Sequence, residues 1–243
     1  MEPGVIFYIL ILVTAALYSS VGHGGASGYL AIMAIFAISP ENMRASALIL
    51  NLFVAGISFY SFHRGGFFKF KLLLPFIVFS IPMSFVGARL QINPTTYKII
   101  LGIFLLIAIA RMVLTAKSSA ETKPVNIPVA LALGAFLGFF SGMIGIGGGI
   151  ILSPVLLLLR WATIKETAAI SAVFIFLNST SGIIGLASKG ALNPLPEIYV
   201  MIVMGIAGSF LGSYMGMKKL TSLKLTYLLA AVLLFASFKL FYF

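Results

Sequence analysis

The sequence GIGGGII occupies residues 145–151, and a degenerate copy, GHGGASG, occupies residues 22–28. Each copy follows a long apolar segment and leads into a short one. The short segment is Ala26–Ile38 at the copy in the first half of the chain and Gly149–Leu159 at the copy in the second half. Glycine adopts backbone conformations that other residues avoid, and it weakens a helix interior. The two motifs therefore predict that an apolar helix is broken at each of these places.

The composition of the 243 residues is that of a membrane protein. Hydrophobic residues make up 61% and charged residues only 9%, whereas a soluble domain has roughly 45–50% and about 25%. The net charge of +11 comes from 16 Lys and Arg against 5 Asp and Glu. These cations lie between apolar runs, so we interpret them as orientation signals at the lipid surface and expect no nucleic-acid partner. The absence of Cys excludes disulfides and thiolate metal sites.

Eight apolar segments are long enough to cross a bilayer as helices, which takes about 20 residues. The first has no basic region before it, so we expect a retained span and not a cleaved signal peptide. The two short pieces that follow the glycine motifs have the length of half-helices or re-entrant segments. The eight long segments are Gly4–Val21, Ala45–Phe62, Leu72–Ala88, Tyr97–Ala116, Ile127–Met143, Ala168–Ser188, Pro196–Met215 and Leu225–Phe243.

The positive charges favour a topology in which both short pieces continue across the membrane. Ten crossings would then distribute the 16 cations as eleven on one side and five on the other, whereas eight crossings would give eight and eight. Cytoplasmic loops carry the excess of Lys and Arg. We therefore predict ten crossings, with both termini outside.

The two halves of the chain match each other, which indicates an internal repeat. The glycine motifs align at a shift of 123 residues; Ser46 aligns with Ser171, and Gly87 with Gly212, at a shift of 125. Five crossings per half is an odd number, so the second half enters the membrane in the opposite orientation. We predict an all-α polytopic membrane protein of two inverted-topology repeats, residues 1–115 and 127–243, joined by a basic polar linker at residues 116–126.

Inverted repeats with glycine-interrupted segments in matching positions are typical of secondary transporters, whose site lies near the bilayer midplane. Unwound backbone persists at that depth only where protein or water satisfies it. Half-helices that begin at these breaks would offer unpaired N–H groups and partial positive charge to an anion. The alternative is that the glycines only let helices pack closely. The glycines concerned are Gly22, Gly24, Gly25, Gly145, Gly147, Gly148 and Gly149.

Polar side chains near the breaks complete the candidate substrate site. His23 could bind an anion, carry a proton or only hydrogen-bond to a neighbouring helix. Ser46 and Ser171 are repeat partners and therefore the stronger ligand candidates, and the site also includes Ser27 and Asn178. Asn178 could equally hold helices together. The remaining donors on the spans after the breaks are Asn51, Ser179 and Thr180.

Charged side chains are predicted to lie outside the site. We expect Arg44, Arg89 and Arg160 to mark span ends and reach the surface. A cation carrier is disfavoured because every carboxylate falls at a terminus or loop, although backbone carbonyls could still hold sodium. No metal or cofactor is expected. The five carboxylates are Glu2, Glu41, Glu121, Glu166 and Glu197.

The GxGGG of Gly145–Gly149 with Pro154 after it, its copy at Gly22–Gly25 and the Ser-Ala spans that follow resemble the sulfite exporter TauE/SafE family over essentially the full chain. The resemblance implies a permease of the prokaryotic plasma membrane for small sulfur-containing or organic anions, such as sulfite, thiosulfate, sulfonates or sulfoacetate. The first copy departs from the pattern: Ala26 replaces a glycine and the matching proline is absent, so the two half-sites need not be symmetric.

Other functions are compatible with parts of the sequence. Residues 25–28 spell the GxSG of intramembrane serine proteases, but neither His23 nor His63 comes from a helix suited to serve as the base. An anion channel and a non-transporting scaffold or assembly factor are further alternatives. For a permease, the expected partners are a small anion and the lipid bilayer, while a proton or sodium as coupling ion and a homodimer stay open.

Overall fold

The computed structural model describes residues 4–114 and 122–218, together with residues 234, 237 and 238. Regular structure in this part of the chain is entirely helical. The last predicted span, Leu225–Phe243, lies outside the described residues apart from those three positions, as does the linker up to residue 121. The helices are α1 Val5–Ser19, α2 Ala26–Ile35, α3 Pro40–Arg64, α4 Phe70–Arg89, α5 Pro94–Leu114, α6 Ile127–Ile144, α7 Gly149–Leu158, α8 Ile164–Ala187 and α9 Ile198–Lys218.

These helices confirm the prediction of an all-α polytopic membrane protein. Five of them, α3, α4, α6, α8 and α9, are long and apolar enough to cross a membrane. The middle of the bundle is formed by α3 and α8, because 56% and 72% of their most apolar stretches are buried, against 39% for α4 and α9. The outer helices expose large apolar side chains such as Val78, Phe136 and Val203, as a lipid-facing surface requires.

The two short helices differ from α3, α6 and α8 in how they begin. Ser39 caps α3, Asn126 caps α6, and Thr163 with Glu166 forms a capping box on α8. In contrast, α2 and α7 each begin after a left-handed glycine and have no side-chain cap. They have 10 residues each, which makes them about 15 Å long, half of a roughly 30 Å hydrocarbon core. Both are preceded by a loop at a glycine motif. The broken helices that the sequence predicts are therefore present.

Backbone conformations recur between the two halves of the chain. Gly22 and Gly145 both have positive φ, and so do Gly25 and Gly148, again 123 residues apart. The ends of α2 and α7 recur as well: Ala37 and Arg160 adopt left-handed conformations, in which the next N–H bonds back to Met33 O after α2 and to Leu156 O after α7. This agreement supports an internal repeat.

Small residues bring the outer helices into close contact. Methyl groups on Gly134, Gly138 or Gly142 of α6 would overlap with backbone carbonyl groups of α4. Gly208, Gly212 and Gly216 of α9 lie just as close to the backbone of α1. Small residues at helix interfaces allow such approach in membranes. These glycines lie within helices and allow them to pack closely, whereas the glycines of the two motifs stand where helices are interrupted.

The helix pairs form a reciprocal pattern. The first helix of each half packs against the fourth helix of the other half, as α1 does with α9 and α6 with α4. The third helices, α3 and α8, pack against each other, and each also contacts the fourth helix of the other half. This exchange is what an internal two-fold relation predicts. The inverted orientation of the halves in the bilayer stays a prediction, as do the domain boundaries.

Candidate functional site

The two glycine loops meet at the centre of the bundle, against Asn51 of α3 and Ile175 of α8. A methyl group on Gly24 would lie 2.5 Å from Asn51 Oδ1 and 2.9 Å from Ile175 Cγ2. On Gly147, it would lie 2.8 Å from both Asn51 Nδ2 and Ile175 Cγ2. The loops therefore share the same two neighbours, which fill the space beside their backbones.

Each loop is also covered by the long helix of the opposite half. Gly22 lies directly against Ala168 of α8, where any side chain would overlap with the helix backbone. Gly145 lies against Arg44 of α3, with 3.1 Å between an added methyl group and the Arg44 carbonyl oxygen. The breaks are thus enclosed by protein, which satisfies the requirement for irregular backbone at membrane depth.

The starts of α2 and α7 lie in this enclosed region without a side-chain cap from the described residues. Their first residues follow Gly25 at φ +87° and Gly148 at φ +74°, conformations in which other residues are strained. No side chain of the described residues caps either helix, and both starts are buried. The first N–H groups of a helix have no partner within it, and its start carries roughly half a positive charge. The region therefore suits a negatively charged ligand.

A chain of hydrogen bonds crosses between the halves next to these helix starts. His23 Nε2 lies 2.8 Å from Ser153 Oγ, and Ser153 Oγ lies 2.7 Å from Ser171 Oγ. The Ser153 hydroxyl is also 3.1 Å from Gly149 O. His23 is 2% exposed and both serines are fully buried. The loop of the first half is thereby joined to α7 and α8 of the second.

Ser27, on the first turn of α2, bonds to a tyrosine. Its hydroxyl lies 2.7 Å from Tyr18 OH, which belongs to α1. Serine proteases need a base within hydrogen-bond reach of the nucleophile. The GxSG sequence at residues 25–28 lacks that arrangement, because His23 is bonded to Ser153 and His63 lies in the exposed last turn of α3.

Asn51 occupies the point where the loops meet. Its Nδ2 donates to Ser179 Oγ at 3.2 Å, which ties α3 to α8. Among the described residues its Oδ1 has no hydrogen-bond partner, although the side chain is fully buried. An unsatisfied buried acceptor costs about 1–3 kcal/mol. Asn51 is therefore a better-placed ligand group than the sequence alone indicates.

Two of the predicted ligand residues form their hydrogen bonds with residues outside the glycine loops. Ser46 Oγ accepts a hydrogen bond from the Leu195 N–H at 2.9 Å, in the connection before α9. Asn178 Nδ2 donates to Ser80 Oγ of α4 at 3.1 Å and to Phe174 O at 2.8 Å. Ser46 and Asn178 therefore fasten elements together, while Ser171, the repeat partner of Ser46, lies beside the α7 start.

Arg44 is buried, in contrast to its predicted surface position. It is 8% exposed, and its guanidinium donates to Gly142 O at 3.0 Å, Leu90 O at 3.3 Å, Gly87 O at 3.2 Å and Ala88 O. These carbonyls belong to the ends of α6 and α4, where acceptors have no partner within the helix. Arg89 and Arg160 are exposed as expected. Arg44 thus packs its backbone and Cγ against Gly145 while its guanidinium joins the ends of α4 and α6.

The acidic side chains within the described residues stay away from the glycine loops. Glu41 and Glu166 lie in the first turns of α3 and α8, and Glu197 precedes α9. Glu166 pairs with Lys69 at an N–O distance of 2.5 Å, at the start of α4. No group of three His, Cys, Asp or Glu in this part of the chain could hold a metal ion.

Sequence reasoning passed over Ser153 and Ile175. Position 153 has no polar partner in the first half, where Leu30 or Gly28 stands at the matching place, so comparing the repeats gave no signal. Its spacing of four residues from Gly149 was the available clue, because these positions share one helix face. Ile175 is an apolar residue in an apolar helix and carries no sequence signal of its own.

Comparison with known proteins gives a consistent family. Residues 7–240 match the family model described as "Sulfite exporter TauE/SafE". "Probable membrane transporter protein y4hK" of Sinorhizobium fredii is 34% identical over 96% of this chain and 96% of that protein. "Probable membrane transporter protein YunE" of Bacillus subtilis is 24% identical over 87% of this chain and 86% of its own length. No solved structure matches the chain.

Proposed function

The chain belongs to the sulfite exporter TauE/SafE family and is a multi-pass membrane transporter, and on this premise we propose that it carries small sulfur-containing or organic anions by alternating access. The substrate class includes sulfite, thiosulfate, sulfonates and sulfoacetate, and the membrane is the plasma membrane of a prokaryotic cell. Membership of a transporter family argues against an enzyme.

One observation carries the proposal: two half-helices, one from each half of the chain, begin uncapped and buried beside the same Asn51 and Ile175. Helix starts of this kind bind anions through N–H groups and partial positive charge. Broken helices at the interface of two repeats are where secondary transporters hold their substrates. The bound anion would contact the backbone of both glycine loops.

Local charge supports an anion over a cation. Within the described residues the carboxylates lie at helix ends, while Arg44 is buried near Gly145. A desolvated guanidinium contributes a field that is screened much less than that of a surface cation. The carbonyl groups at the ends of α4 and α6 fix the position of Arg44, and their partial negative charges offset part of its field.

The arrangement supports a simple transport cycle. Asn51 and Ile175 fill the space between the loops, so the substrate reaches the backbone amides only after these side chains move. Both belong to α3 and α8, the central helices that pack across the two halves. A rocking motion of one half against the other would displace them and open the site to alternate sides of the membrane.

The test begins with binding to the purified full chain in detergent. Sulfite, thiosulfate, sulfate, sulfoacetate and acetate are compared as sodium salts, with sodium chloride as the reference. A ligand present at 100 times its Kd adds about 2.7 kcal/mol to the free energy of unfolding. We expect at least one sulfur-containing anion to raise the unfolding temperature. Equal temperatures throughout the panel would count against the proposed function.

Transport is then measured in proteoliposomes with radiolabelled sulfite and thiosulfate. A Gly148→Leu substitution places its side chain against Phe174 at the α7 start, and we expect it to abolish uptake. Gly190→Leu is the matched control, because Gly190 also has positive φ, but no atom in the described part of the chain lies within 4 Å of a methyl group added there. Saturation and countertransport are expected of a carrier, a linear dependence of flux on concentration would indicate a channel, and no flux would favour a scaffold.

A further inference from the structure

His23 is the buried histidine of the glycine site, and its environment suggests a use beyond structure. It sits in the loop between α1 and α2, yet its hydrogen bond runs to Ser153 in the second half of the chain. The other histidine, His63, is exposed in the last turn of α3. Histidine is the side chain whose unperturbed pKa lies near working pH.

The hydroxyl chain accommodates either charge state of the imidazole. A neutral ring with an unprotonated Nε2 accepts a hydrogen bond from the Ser153 hydroxyl. A ring protonated at Nε2 donates to Ser153 Oγ, and Ser153 then turns its own proton toward Gly149 O at 3.1 Å or toward Ser171 Oγ at 2.7 Å. One hydroxyl rotation therefore adapts the network to the gain of a proton.

The side chains placed around His23 come from three helices. These neighbours include the Tyr18 ring of α1, 6.4 Å away between ring centroids, and the hydroxyl of Ser153 on α7, with Ser171 of α8 behind it. Arg44 lies at the other loop, with its guanidinium held at the ends of α4 and α6. An anion bound close to His23 would stabilise the imidazolium.

We propose that His23, through the Ser153 hydroxyl, binds the proton that crosses the membrane together with the anion. This inference rests on the proposed anion transport and names its coupling ion. Binding of the anion and binding of the proton then strengthen each other reciprocally. One proton bound at His23 offsets one negative charge of the substrate, and its release on the far side restores the neutral ring.

The experiment measures anion and proton movement together in proteoliposomes that contain the full chain and a trapped pH indicator. The probes are radiolabelled thiosulfate and methanesulfonate, because neither takes up a proton between about pH 5 and 8, where histidine titrates. We expect influx of either anion to acidify the lumen. Above the pKa of the site, anion affinity should fall about tenfold per pH unit, as linkage to a single proton requires.

Three variants distinguish coupling from a structural role. His23→Gln keeps a hydrogen-bonding group but cannot be protonated, so anion binding should persist with less than about a twofold change over the same pH range. Ser153→Ala removes the acceptor of the imidazolium and should move the pH midpoint downward while proton movement continues. His63→Gln is the matched control and should behave like the unaltered protein.

The possible failures are separable. Anion influx without acidification in the unaltered protein would overturn the coupling and leave the proposed function standing. Proton movement that survives in His23→Gln would also overturn it. If that variant does not fold, an unchanged pH midpoint in Ser153→Ala would contradict the role of the pair. Absence of flux for both anions in the unaltered protein would instead contradict the proposed function itself.

Discussion

Replacing Gly147 with alanine tests whether the meeting point of the two loops is the transport site. Gly147 has φ +79°, and an added methyl group would lie 2.8 Å from both Asn51 Nδ2 and Ile175 Cγ2. A left-handed conformation costs a non-glycine residue roughly 1–2 kcal/mol. Forcing a methyl group into a filled space costs a further 1–3 kcal/mol or so. We therefore expect Gly147→Ala to destabilise the protein by about 2–5 kcal/mol.

Gly66→Ala is the matched control for backbone strain. Gly66 has nearly the same φ, +77°, but no atom of the described residues lies within 4 Å of the added methyl group. This variant should lose only the conformational component, about 1–2 kcal/mol. The difference between the two variants therefore isolates the crowding against Asn51 and Ile175.

The assay compares thermal unfolding in detergent with anion uptake in proteoliposomes for both variants. Gly147→Ala should lose at least about tenfold in uptake, equivalent to roughly 1.4 kcal/mol, while Gly66→Ala should stay within about twofold. Equal uptake by the two variants would refute the placement of the site at this junction. Equal unfolding temperatures would refute the packing argument on which the expected magnitude depends.

Further substitutions test the surrounding structure. Arg44→Gln should destabilise the protein by about 2–4 kcal/mol, because charged hydrogen bonds to carbonyls contribute about 1.5–3 kcal/mol each and glutamine replaces only part of them; a thermal unfolding temperature equal to the wild type would contradict this. Gly142→Leu should separate α6 from α4 and prevent folded protein from accumulating in the membrane, as measured by size-exclusion profile. Gly56→Leu should be tolerated, because Phe176 is the one described residue within 4 Å of a methyl group at that position. Lys69→Ala removes the ion pair with Glu166 and should lower the free energy of unfolding by no more than about 1 kcal/mol, because the lysine is 59% exposed and surface ion pairs contribute little. A larger loss would show that the connection between α3 and α4 depends on this ion pair.

The breaks in the helices could be predicted from sequence because glycine acts locally. Gly25 and Gly148 change the backbone direction wherever they stand, and the short apolar pieces after them record the result. The half-helices and their starts therefore followed from the chain alone. The meeting of the loops at Asn51 and Ile175 depends on packing between halves, which no local pattern encodes.

The polar contacts could be predicted only in part. Ser171 was named because it has a repeat partner, yet that partner, Ser46, bonds to the backbone at Leu195. Repetition in sequence therefore did not carry over to equivalent contacts. Arg44 was assigned to the surface because cations near span ends usually reach it, whereas here the ends of α4 and α6 converge on it and supply carbonyl acceptors.

The reciprocal covering of the loops has a consequence for biosynthesis. The break before α2 lies against Ala168 and Ile175, and the break before α7 lies against Arg44 and Asn51, so each half shields polar backbone that the other half exposes. A ten-residue helix is too short to enter the bilayer stably by itself. The break before α2 therefore acquires its full protein cover only once α8 has been synthesised.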